Sequence, residues 1–224
     1  MRNDLTELIF ILDMSGSMCD LKADTIGGYN SLLEAQKEAE GDANVTTVLF
    51  DDRYIVLHDR ADIQTVAPIT EKEYQPCGMT AMLDAIGKTF HSVGQKLAEM
   101  PEEERPGNVI VTIITDGYEN ASQEFTWDTI HDMIKEQREK YSWTITFIGA
   151  NVNVEQMSDQ LGIDRKLAKS YTANSIGTAS VYQTMSKSMS KYRASSARIS
   201  CGICGMSMRS NLEDEMAKDM EEIE

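Results

Sequence analysis

Four cysteines and four prolines are all that a chain of 224 residues contains. The cysteines stand at Cys19, Cys77, Cys201 and Cys204, without the density or spacing of a disulfide framework, which points to a reducing compartment. Long apolar runs are missing too. The longest, such as Leu8 to Leu12, fall far short of the roughly eighteen residues that mark a membrane-spanning helix. That run ends at Asp13 and not at a small-residue cleavage site, which argues against a secretory leader. These absences predict a soluble, cytoplasmic protein. Positive charge is scarce as well: 21 Lys and Arg face 37 Asp and Glu, a formal net charge of −16. Phosphate backbones and anionic bilayers are bound through cations, so neither nucleic acid nor a membrane surface is an expected partner.

What is present is an ordinary globular composition, 41% hydrophobic and 26% charged, at a length that buries a core without staples. Leu8 to Leu12, Val45 to Phe50, Val109 to Thr115 and Thr144 to Ile148 read as strands covered on both faces. Between them lie helical patterns: Tyr29, Leu32 and Leu33; then Leu83, Ile86, Phe90, Val93 and Leu97; then Trp127, Ile130, Met133 and Ile134. The acidic turn at Asp51-Asp52-Arg53 predicts a hairpin, with Tyr54 to Leu57 as an antiparallel edge strand. A short strand at Leu167 to Tyr171 precedes a helix carrying Val181, Met185, Met189 and Tyr192. The fold class expected is α/β: a doubly wound, mostly parallel central sheet with one antiparallel edge strand and helices on both faces.

Composition shifts to Ser, Ala, Gly and Cys after Arg193 and then turns acidic, so residues 1–195 are expected to form the domain and 196–224 a flexible linker and acidic tail. Leu212, Met216, Met220 and Ile223 recur near helical spacing, which allows either an amphipathic helix on a partner or a solvated tail.

In a parallel sheet, ligands sit at the carboxyl ends of the strands. Asp13-Met14-Ser15-Gly16-Ser17 follows the first strand, Asp116-Gly117 follows the strand ending at Thr115, and Gly78-Met79-Thr80 lies directly before a helix. Three hydroxyls and two carboxylates form an all-oxygen set without imidazole or thiolate. Hard donors of this kind favour Mg²⁺ or Mn²⁺ over zinc, Mg²⁺ wanting octahedral geometry at about 2.0–2.1 Å. Asp13 and Ser15 capping a helix is the plain alternative for a lone Asp-x-Ser-x-Ser. It leaves Thr80 and Asp116, at the ends of other segments, without explanation.

The pattern Asp-x-Ser-x-Ser, then Thr, then Asp-Gly resembles the metal-ion-dependent adhesion site of von Willebrand factor type A domains, and the resemblance extends over residues 5 to 195. Cys77-Gly78-Met79-Thr80 stands where relatives often carry paired glycines. The resemblance implies that Ser15, Ser17 and Thr80 supply hydroxyl ligands, with Asp13 and Asp116 reaching the ion directly or through water. It implies a non-enzymatic adaptor whose Mg²⁺ or Mn²⁺ coordinates a Glu or Asp of a protein partner, in some members beside ring-forming ATPases. At an effective dielectric of about 20, unit charges 4 Å apart attract by roughly 4 kcal/mol before desolvation, enough for a carboxylate to act as an anchor. On the same reading the tail's Glu213 or Glu215 is a candidate for that open position, in its own or a neighbouring chain.

A metal-dependent phosphohydrolase using the same ion is the alternative function, although the sequence offers no obvious base. Gly87-Lys88-Thr89 ends like a phosphate-binding loop, but Met82 occupies the position of its first glycine. His58, His91 and His131 fall on separate elements, which is packing or surface usage and not a zinc set. Cys201-Gly202-Ile203-Cys204 is half of a zinc site, a redox pair, or a pair of idle thiols.

Overall fold

A computed structural model describes residues 1–199 and 206–221, with side chains for 1–196 and 213–221. Six strands form one sheet in the order β3-β2-β1-β4-β5-β6: β1 (Arg2–Asp13), β2 (Asp42–Phe50), β3 (Tyr54–Asp62), β4 (Pro106–Thr115), β5 (Thr144–Gly149) and β6 (Ala168–Ser170). Every pairing is parallel except β2 with β3. The acidic turn after Phe50 therefore makes the antiparallel edge that the hairpin signal predicts. The apolar runs lie in the sheet because they are covered on both faces: Leu8 to Phe10, Val111 and Ile113 are fully buried. Each such side chain is worth about 1.5–3 kcal/mol of burial.

The helices are α1 (Lys22–Glu38), α2 (Met82–Glu99), α3 (Trp127–Tyr141), α4 (Val154–Leu161), α5 (Ser175–Ile199) and α6 (Met206–Met220). Right-handed crossovers set α1 with α5 on one face and α2 with α3 on the other. Phe10 meets Tyr29 of α1 edge-on at 5.4 Å, and Phe90 of α2 meets Trp143 at 5.3 Å. Helix α4 is additional to the expected elements. Its signals were local, Asn153 accepting from Gln156 N at the start and Gly162 in the left-handed region at the end. Gly87-Lys88-Thr89 lies within α2, where a Cβ on Gly87 would come within 2.5 Å of the Phe125 ring. That glycine serves close packing and not a phosphate.

The acidic end corrects an expectation. Residues 206–220 are not an open tail but helix α6, with Met216 and Met220 buried against α5. Lys166 pairs with Asp214 and Lys191 with Asp219. Glu213 lies 3.4 Å from Thr144 Oγ1, at the first residue of β5, so within its own chain it sits at the amino edge of the sheet, opposite Asp13. Cys201 and Cys204, with their zinc and redox readings, lie outside the described residues. Among those described, no helix is long and apolar enough to cross a membrane.

Candidate metal centre

Strand order reverses between β1 and β4. The chain winds from β1 outward to β3, then returns to the far side of β1 for β4, β5 and β6. A crevice opens at the carboxyl ends of two such strands, and here it lies between Asp13, the last residue of β1, and Asp116, the residue after β4.

The two carboxylates are placed by short-range geometry. Asp13 Oδ1 accepts from Ser15 N at 2.7 Å, an Asx-type turn that bends the chain sharply after the strand. Asp13 Oδ2 accepts from Thr115 Oγ1 at 2.5 Å, which ties the ends of β1 and β4 together. Tyr74 donates its hydroxyl to Asp13 O at 2.6 Å from beneath. Ser15 occupies the cap position of the 3-10 turn Gly16–Leu21, yet its side chain makes no cap bond. It faces Ser17 Oγ at 3.1 Å instead, and Ser17 Oγ donates to Asp116 Oδ1 at 2.5 Å. The capping alternative for Ser15 does not account for that orientation.

Thr80 joins from the third loop. Gly16 N donates to Gly78 O at 3.2 Å, drawing this loop onto the first. An added Cβ on Gly117 would stand 3.3 Å from Thr80 Oγ1 and 3.5 Å from Ser17 Oγ, so the two hydroxyls border the same small space. A larger residue at 117 would fill it. All five residues expected from the sequence, Asp13, Ser15, Ser17, Thr80 and Asp116, are thus brought to one place. Asp13, Ser15, Thr80 and Asp116 are buried, and Ser17 is exposed at the mouth.

Several supports were not anticipated. Thr80 is clamped by Asn120, whose side-chain oxygen accepts from Thr80 N at 2.8 Å and whose backbone N–H donates to Thr80 O at 3.0 Å. Glu119 accepts from Leu83 N at the start of α2, while Asp84 accepts from the backbone of Gln123, Glu124 and Phe125. The loop after β4 and the start of α2 therefore hold each other. Thr115 was legible as the residue before Asp116. Asn120, Glu119 and Tyr74 carried no signal in spacing alone.

Electrostatics suit a cation. Burial pushes the Asp13 carboxyl up to about 6 against the pull of Thr115 and Ser15, with Asp116 adding repulsion. Burial raises Asp116 as well, against the bond from Ser17. Neither carboxylate has a Lys or Arg partner among the described residues, so a positive charge between them would relieve both. No group of three or more His, Cys, Asp or Glu side chains suited to a metal exists among those residues. A cation here would meet mainly hydroxyl oxygens, as Mg²⁺ and Mn²⁺ accept. The donor set fits such an ion.

The fold is that of von Willebrand factor type A domains. A von Willebrand factor type A protein from Catenulispora acidiphila superposes with a TM-score of 0.55 at 14% identity, over 86% of this chain and 42% of that one. The manganese-loaded TRAP protein of Plasmodium vivax gives 0.57 at 19%, over 80% and 72%. Proximal thread matrix protein 1 from the mussel byssus, with a zinc-occupied MIDAS motif, gives 0.58 at 16%, over 83% and 46%. The chain thus spans less than half the length of two of these three structures. No family model and no curated protein matches the sequence.

Proposed function

We propose that the chain is a divalent-metal-dependent protein-binding module, with Mg²⁺ or Mn²⁺ held by Ser15, Ser17, Thr80, Asp13 and Asp116. The observation that carries this reading is the convergence of three loops on one space lined by hydroxyls and two buried carboxylates without a cationic partner. A metal bound there supplies an electrophilic position for a Glu or Asp of a partner. Ser17, exposed at the mouth, marks where that carboxylate enters. The manganese and zinc named for two structural neighbours support a divalent ion.

A binding role fits the site better than catalysis. Both oxygens of Asp13 accept bonds within the protein, and Asp116 accepts from Ser17. Neither is poised as a general base for the alternative phosphohydrolase. A cytoplasmic adaptor, possessed of a partner such as an ATPase-associated complex, is the setting that the sequence resemblance implies and belongs to the same proposal.

The test is Mn²⁺ titration by calorimetry or paramagnetic resonance. The wild type should bind and Asp13→Ala should not, while circular dichroism shows the variant folded. Equal binding by both proteins sinks the reading. Turnover of a phosphate ester with Mg²⁺ would replace it with the hydrolase.

A further inference from the structure

The rim of the site carries apolar side chains where a purely ionic contact has no use for them. Met79, directly before Thr80, is 55% exposed, and Tyr118, two residues after Asp116, is 54% exposed. Single exposed apolar residues are commonplace. Both stand next in sequence to the centre: Met79 precedes Thr80, and Tyr118 follows Gly117, where an added Cβ would meet both Thr80 Oγ1 and Ser17 Oγ. Tyr118 is also held in place: its hydroxyl accepts from Asn153 N at 2.9 Å, so a fixed aromatic surface faces solvent. A side chain already ordered loses little freedom when a partner covers it. Met79 offers the opposite quality, an unbranched chain that adapts to irregular surfaces.

Charge on the same loops narrows the partner further. Asp20 lies three residues beyond Ser17, and Asp52 accepts from Met79 N at 3.4 Å; both are exposed. The cations nearby are engaged, Arg53 with Asp51 and Lys22 with Glu71. With a formal net charge of −16, the chain repels an acidic surface at long range. A partner that delivers a carboxylate to this mouth needs cations around it.

We propose that the centre recognises a single Glu or Asp carried on a basic protein loop between apolar neighbours, with Met79 and Tyr118 gripping those neighbours and Asp20 and Asp52 meeting the surrounding cations. This rests on the metal-dependent reading above and adds the identity of the partner surface to it.

Three cyclic peptides rich in Lys and Arg serve as probes, centred on Leu-Glu-Leu, Ser-Glu-Ser and Leu-Gln-Leu. Their affinity for the intact chain is read by fluorescence anisotropy with Mg²⁺ and with chelator, and Mn²⁺ binding is measured in parallel. Leu-Glu-Leu should bind only with Mg²⁺ and at least about tenfold tighter than Ser-Glu-Ser, the effect of one good apolar contact. Leu-Gln-Leu should not bind. The double variant Met79→Ser/Tyr118→Ser should erase the preference with Mn²⁺ affinity unchanged, and Tyr118→Phe, which keeps the ring but loses its anchor on Asn153 N, should retain only part of it. Equal affinity for the first two peptides, a preference that survives the double variant, binding in chelator, or no peptide binding overturns the inference. If Mn²⁺ itself fails to bind, the metal reading falls and this inference with it; if Mn²⁺ binds and the flanking residues make no difference, only this inference falls.

Discussion

Asn120 and Thr80 hold each other by two hydrogen bonds across forty positions of sequence, side-chain oxygen to Thr80 N at 2.8 Å and backbone N–H to Thr80 O at 3.0 Å. Nothing else described fixes both backbone groups of Thr80 at once. The clamp sets where the Thr80 hydroxyl stands relative to Ser17, and so how closely the three loops converge.

Asn120→Ala should therefore weaken Mn²⁺ binding by about 10–100-fold, the usual loss when a support of a metal ligand is removed. Asn120→Asp keeps the accepting oxygen and should recover part of that loss. Calorimetric titration reads both. An affinity equal to wild type in Asn120→Ala would show that Thr80 is placed by other contacts.

Removal of residues 206–224 should lower the melting temperature, because Met216 and Met220 leave a buried position against α5. Mn²⁺ affinity should not change, since α6 packs at the amino edge of the sheet and the candidate centre lies at the other. A gain in affinity on truncation would mean that the acidic end reaches the centre, from its own chain or a second one.

Glu7 and Arg60 predict a pH dependence. Glu7 is fully buried, with Oε2 accepting from Arg60 Nε at 3.0 Å and Oε1 unpartnered. Burial raises its carboxyl above the ordinary 4.5, against the pull of Arg60. A raised acid contributes stability that is fully present below its unfolded pKa and is lost as pH rises through the folded one. Arg60→Met raises the folded value further. The variant should be less stable than wild type by about 3–5 kcal/mol at pH 8, and the gap should narrow as pH falls toward 4.5. Urea unfolding at several pH values checks this, and a gap that widens on acidification contradicts it.

Arg193 is fully buried on α5, donating to Gln36 O at 2.6 Å, Gln36 Oε1 at 3.1 Å and Gly41 O at 2.7 Å. Burial pushes its guanidinium down to about 10. The fork binds the end of α1 to α5 in a way that a single ammonium cannot copy. Arg193→Lys should cost about 1–3 kcal/mol, the penalty for a buried carbonyl left without a donor. A denaturation midpoint equal to that of the wild type would remove the clamp from the account.

Much of the fold is written in local pattern. Val109 to Thr115 becomes the heart of β4 and Thr144 to Ile148 nearly all of β5, because an uninterrupted apolar run is stable only when both faces are covered. The short acidic turn before Tyr54 gives the antiparallel edge, although β3 extends to Asp62, past the apolar residues that marked it. Helix α4 was carried by its ends more than by its length. The near-helical spacing in the acidic end allowed α6 but not its location, because the neighbour that buries Met216 and Met220 is α5 of the same chain and not a partner.

The sequence by itself determined the strand-and-helix alternation and the residue types of the centre, since periodicity and short motifs are properties of neighbouring positions. It determined Asp13, Ser15 and Ser17 as a unit, because one tight turn holds all three. Only the tertiary structure decided that Thr80 and Asp116 join them, that Asn120 and Thr115 hold them there, and that the acidic helix lies at the far edge. Those outcomes depend on which strands become neighbours, and strand order is set by the packing of whole helices on the sheet, a long-range property that no window of sequence contains.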